Sequence, residues 1–290
     1  MPSLLTSWSL DPLQLAPLAI VGGAYWKRVR TLRARGNPVA PWRRWSFGTG
    51  LALVFLAVAS PIHAFGEEQF FVFHMLQHVL LGDLGALALV AGLTGPILRP
   101  VLAVPVLDRL RVLAHPLVAL PLWAVNLYVW HIPALYEGAL EHASLHALQH
   151  VLFLTCGVLM WAPVVEVLPG PEWFGTGMKL GYVVVVRLLE TVLGNVFMWS
   201  GAVIYGVYIH TDELWGISAL RDQGLAGSLM MVEGSIVTIC ALAWLFLRLA
   251  REGELRQELL ESGLDPRAVK RAVRYGRGET LGSPSSVSPE

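Results

Sequence analysis

Charge is scarce in this chain. Only 14% of its 290 residues are Asp, Glu, Lys or Arg, against about 25% in an ordinary soluble domain. That shortage excludes a water-soluble globule. Cysteine is almost absent. Cys156 and Cys240 each lie inside an apolar run, with no CxxC, so no disulfide framework is readable and both are expected in the core. Signatures of bond-making chemistry are missing as well. There is no G-x-S-x-G, P-loop or dinucleotide fingerprint. The first apolar stretch has no basic residues before it, which predicts no cleaved signal peptide.

What is present is long apolar runs. Apolar residues make up 55% of the chain, and a bilayer core needs roughly 20 of them in succession per helix. Seven such runs are read: about Leu10 to Trp26, Trp45 to Phe65, Phe70 to Leu93, Pro116 to Tyr136, Leu145 to Val165, Leu180 to Tyr205 and Gly224 to Leu247. The segment "PVLAVPVLDRLRVLAHP" is too Pro-broken to span and is expected at the interface. The predicted fold is all-α, an integral membrane bundle of seven transmembrane helices over residues 1–249. A basic tail, 250–290, is expected to be partly helical and then disordered from "GRGETLGSPSSVSPE".

Basic residues set the orientation. The loop "WKRVRTLRARGNPVAPWRR" carries seven Lys/Arg and no acid. Placing it and the tail inside, by the positive-inside rule, puts the N-terminus outside and the C-terminus in the cytoplasm. Nineteen of the 21 Lys and Arg then fall on the inner side, leaving Arg187 inside a span and Arg221 outside.

The histidines sort the other way. Eight of the nine fall at the outer side, and only His115 is inner. Two stretches stand out, "HMLQHVLL" from His74 and "HALQHVLF" from His146. Each holds two histidines at i, i+4, hence on one helix face, about 6 Å apart along the axis. Both open a span from the same side, so His74, His78, His146 and His150 are expected at similar depth. A buried imidazole is costly without partners. Four at one level point to a shared ligand, and imidazole suits copper, zinc, iron or nickel. His115, His142 and His210, taken singly, are as well read as ordinary hydrogen-bonded residues.

Thioethers join the same half at Met75, Met198, Met230 and Met231. Soft sulfur favours Cu(I) over Zn(II), although methionine is also common packing material. A hydrolytic zinc site fits poorly, because the position after the first histidine, Glu in HExxH, is Met75 in one copy and Ala147 in the other. Asp83, Arg187, Glu190 and Glu233 are ionisable groups within spans and are candidate supporting residues, as is His63. Arg187 and Glu190 stand at i, i+3 and can pair. Glu233, two residues below Met231, can support a metal site.

The two HxLQH copies, with "NLYVWHIPALYEGAL" and its W-H-x-P between them, resemble the polytopic CtaG family of cytochrome c oxidase (caa-type) assembly factors. The resemblance covers about Trp45 to Leu247. It implies a non-enzymatic factor in the bacterial inner or plasma membrane that helps build the oxidase by delivering copper to it. The motif positions carried over are His74, His78, His131, His146 and His150. With Met75 and Met231 these form the expected metal site, for copper as Cu(I). The expected partners are oxidase subunits and the lipid bilayer, with no nucleic acid. Two other readings stay open: a b-type haem protein, with iron held between histidines of two helices, and a transporter of copper or protons.

Overall fold

The computed structural model describes residues 7–10, 12–210 and 216–276. Among them the regular structure is helical, with no strand. The expected disordered tail lies outside the described residues from 277 onward. The principal helices are α1 (Pro12–Ala34), α2 (Pro41–Ala59), α3 (Pro61–Glu68), α4 (Phe71–Gly92), α5 (Pro116–Trp130), α6 (Pro133–Glu141), α7 (Ala143–Val165), α8 (Thr176–Trp199), α9 (Ala219–Glu261) and α10 (Pro266–Arg274). Three short helical segments, Gly95–Leu102, Pro105–Arg109 and Leu110–Ala114, fill the Pro-broken stretch.

Four helices, α4, α7, α8 and α9, are long and apolar enough to cross a membrane. The number rises to six if α2 with α3 counts as one span, and Pro105–Ala114 with α5 as another. These runs mark a membrane protein. The helix expected as the first span, α1, falls outside this set.

Proline shapes the breaks. Pro61 and Pro133 each open a new helix, where a missing N–H costs nothing. The second apolar run therefore bends by 44° at Ser60, whose hydroxyl caps α3 by accepting from Ile62 N–H. The fourth ends at Trp130, and Pro133 begins α6 rather than closing the span. Beyond Leu247 α9 continues to Glu261, and α10 follows as a separate helix.

The described chain forms two compact units, and the division runs through α8 and α9. The first is Met1–Leu168 with Leu188–Gly234. Its inner packing is built by α1, α2 and α4. Tyr25 stacks on Phe47 at 3.6 Å between ring centroids, and its hydroxyl donates to Gly92 O. Arg43 donates to Ala91 O and Leu93 O, satisfying carbonyls at the end of α4 where the helix dipole favours a cation. The second unit is Pro169–Arg187 with Ser235–Glu290. There Thr176 donates to the Glu252 carboxylate, Arg274 to Phe174 O, and Arg187 to Ser235 Oγ at 2.9 Å. Cys156 is buried as expected. Cys240 is exposed, which corrects its assignment to the core. A lipid-facing position is as apolar in sequence as an interior one.

Two features of α4 set the histidine pairs against each other. Its residues Leu80–Gly85 form a π-helix that begins two residues after His78. Such widened turns recur at functional sites because they re-aim the side chains beside them. At this level α7 comes so close that a Cβ on Gly157 would overlap the Gly82 carbonyl. Small residues let helix backbones approach in this way. Gly82 is four residues after His78, and Gly157 is seven after His150. The contact thus turns the two HxLQH faces toward each other.

Candidate metal centre

The repeated motif closes on itself. Adjacent imidazoles are separated, between ring centroids, by 4.4 Å for His74 and His78, 4.1 Å for His146 and His150, 5.4 Å for His74 and His146, and 6.1 Å for His78 and His150. His131 adds a fifth ring 5.9 Å from His78, and His63 a sixth, 5.6 Å from His146. His74, His78, His131 and His146 are buried. Both ring nitrogens of His78 and the Nε2 atoms of His146 and His150 are buried without a hydrogen-bond partner. Buried polar groups are normally satisfied, so each of these needs an explanation. A bound metal would supply one.

His131 is held in one tautomer by the backbone. Its Nδ1 lies 2.6 Å from Leu127 O. A carbonyl only accepts, so Nδ1 carries the proton and Nε2 keeps its lone pair. That Nε2 is 3.5 Å from Met75 Sδ. About the same separation is expected between a nitrogen and a sulfur bound to one tetrahedral ion at roughly 2.0 and 2.3 Å. The W-H-x-P histidine and the methionine inside HMLQH are therefore set as a neighbouring donor pair.

Aromatic rings pack one side of the cluster. The His74 ring lies 4.9 Å from that of Tyr136, which stacks on Tyr205 at 4.0 Å. Tyr208 donates to Gly66 O, so the hydroxyl contact between Tyr136 and Tyr208 is donated by Tyr136. Tyr205 donates to His131 O. Burial raises the Tyr208 phenol above its ordinary value, so it acts as a neutral donor. On another side Phe153 stacks on His78 at 4.1 Å.

A cavity of about 50 Å³ borders the cluster, lined by Met75, His78, His131, Asp83, Glu190, Met230 and Glu233 among others. At roughly 10–15 Å³ per water it has room for a few waters. Asp83 accepts from Trp161 Nε1 at 2.8 Å. Met230 lines this cavity, whereas Met231 lies against Gly194 of α8. Arg187 belongs to the second unit, with Ser235 as a partner. The remaining histidines are local: His115 caps α5 by accepting from Leu117 N–H, His142 bonds Gly138 O, and His210 is exposed.

Two residues that sequence reasoning passes over position the cluster. Asp222, at the start of α9, accepts from Phe71 N–H at 2.6 Å and Val72 N–H at 3.1 Å. It thereby caps α4, the helix carrying His74 and His78, from 151 residues away. Glu67 meets both His63 and His146. No local signal marks Asp222. Glu67 stands four residues after His63, a spacing at which helical side chains meet.

The fold and site together define a helical membrane protein with a polyhistidine centre between its apolar helices. The chain belongs to the cytochrome c oxidase caa3 assembly factor (CtaG) family, which it matches over residues 23–252. Uncharacterized proteins of Mycobacterium bovis and Mycobacterium tuberculosis are 24% identical over 267 residues, covering 86% of this chain. The chain spans 40% of the length of these curated relatives. No solved structure matches it significantly.

Proposed function

We propose that this assembly factor holds copper, as Cu(I), at the polyhistidine centre and passes it to a nascent oxidase subunit. One observation carries the reading: buried, unpartnered imidazole nitrogens converge from two copies of HxLQH beside the paired donors His131 and Met75. Copper here is cargo. A mixed imidazole and thioether set suits Cu(I) better than a hard cation. We place the centre near the outer face of a seven-span bundle with its C-terminus in the cytoplasm, because the Lys/Arg distribution favours that orientation. The partners are oxidase subunits in the cell membrane, and no catalytic step is assigned.

The cavity volume bears on the haem alternative. Cofactor pockets run to about 300 Å³ or more, against about 50 Å³ beside these histidines. The carboxylates Asp83, Glu190 and Glu233 on that cavity give cation movement within the membrane one supporting observation.

The test is genetic and analytical. A strain lacking the gene is expected to make the oxidase polypeptides yet assemble little active enzyme, with copper per oxidase haem reduced. Raised external copper is expected to restore part of the loss by mass action. Normal activity and copper content in the deletion strain would remove the delivery reading.

A further inference from the structure

Glu67 lies outside both HxLQH motifs and offers no buried, unpartnered atom of its own. Its carboxylate nevertheless ties the two motifs together. Oε1 is in contact with His146 Nδ1, and Oε2 lies 3.4 Å from His63 Nε2. His63 is held in turn by the first motif, since Gln77 Nε2 is 3.0 Å from His63 Nδ1 and 2.8 Å from Ala57 O. A backbone carbonyl accepts only, so the Gln77 atom facing it is the amide nitrogen, and that nitrogen also donates to His63 Nδ1.

The chain of contacts fixes the proton positions. With Nδ1 of His63 accepting, its hydrogen sits on Nε2, the atom that faces Glu67 Oε2 at 3.4 Å. A carboxylate accepts at both oxygens, so His146 donates to it through Nδ1–H. His146 Nε2 is left with a free lone pair, and it is this atom that is buried without a partner. A ligating histidine almost always gives its other N–H to a carboxylate or carbonyl, which fixes the tautomer and raises ligand basicity.

We infer that Glu67, set by His63 and Gln77, is a positioning residue that locks His146 to ligate metal through Nε2. His63, Glu67 and His146 also lie close enough together to form a metal site of their own. The Gln77 contact argues against that arrangement, because it leaves His63 Nε2 holding a hydrogen rather than a lone pair. The glutamine of "HMLQH" thereby gains a role, linking the first motif to a histidine of the second. The inference rests on the copper reading for its consequence, though not for its geometry.

Two measurements on the purified full chain in detergent test it. The first uses metal-free protein labelled with ¹⁵N-histidine. His146 is expected as the Nδ1–H tautomer, and Glu67→Gln is expected to shift that signal, since an amide oxygen serves only one of the two ring donors. A wild-type His146 protonated on Nε2 would overturn the inference whatever the copper result. The second is competition for Cu(I) against a chromogenic chelator. Glu67→Gln is expected to weaken binding by about 10–100-fold, the usual cost of losing such a partner, with Glu67→Asp recovering part of it and His115→Ala unchanged. Undiminished affinity in Glu67→Gln would also overturn the inference, and copper held directly by Glu67 in an X-ray absorption spectrum would replace it with a separate site. A wild-type chain that binds no Cu(I) would remove the copper reading alone, leaving the tautomer to decide this one.

Discussion

Replacing His78 with Ala is expected to strip most of the copper from the purified protein. Both ring nitrogens of His78 are buried and unpartnered, and its ring centroid lies 4.4 Å from that of His74, 5.9 Å from that of His131 and 6.1 Å from that of His150. Loss of a partner that merely orients a ligand costs roughly 10–100-fold in metal affinity, and a ligand is expected to cost at least that. His150→Ala is expected to do the same from the other copy of the motif. The double variant should do little more than either single one, because residues sharing one site are coupled. Copper per polypeptide after passage over a Cu(I) chelator is the readout. Full retention by either single variant would assign its histidine to packing.

The second large effect is expected at Gly157, seven residues beyond His150. A methyl group there would overlap the Gly82 carbonyl and come within 2.9 Å of the Ala86 Cβ. The obstacle is backbone, so it does not yield by rotating a side chain. Overpacking a well-filled interior costs about 1–3 kcal/mol, and here α4 and α7 must move apart. Gly157→Ala is therefore expected to lower both the thermal midpoint and the copper content, since it separates the two HxLQH faces. Gly181→Ala, where an added Cβ meets nothing within 4 Å, is the control expected to leave the copper content unchanged and the midpoint equal or slightly higher, as for any glycine replaced by alanine inside a helix. A Gly157→Ala protein with wild-type midpoint and copper would show that the close approach does not hold the site together.

The centre is legible in sequence to the extent that it repeats. The i, i+4 pairs and their common distance from a span start place His74, His78, His146 and His150 at one level, and the structure brings their rings together. W-H-x-P contributes His131 through resemblance alone, and its donor pair with Met75 appears only in three dimensions. What stays hidden depends on contacts between distant segments. Asp222 caps α4 across 151 residues, and no local pattern announces such a cap. Glu67 belongs to no motif, and its contact with His146 beyond the bend at Ser60 appears only in three dimensions. The π-helix after His78 has no periodic signal of its own. Hydropathy cannot distinguish a lipid-facing residue from an interior one, which is why Cys240 reads as a core residue although it is exposed. It likewise cannot separate Met230, on the cavity, from Met231, against Gly194.

The central claim is that the convergent imidazoles hold copper. The most direct measurement is X-ray absorption at the copper edge on the wild-type chain, purified in detergent and offered Cu(I), alongside an optical spectrum. The account predicts bound Cu(I) in a shell of imidazole nitrogens with a thioether sulfur, and no haem Soret band. Protein that stays copper-free under those conditions, or is purified red with a Soret band, would contradict it.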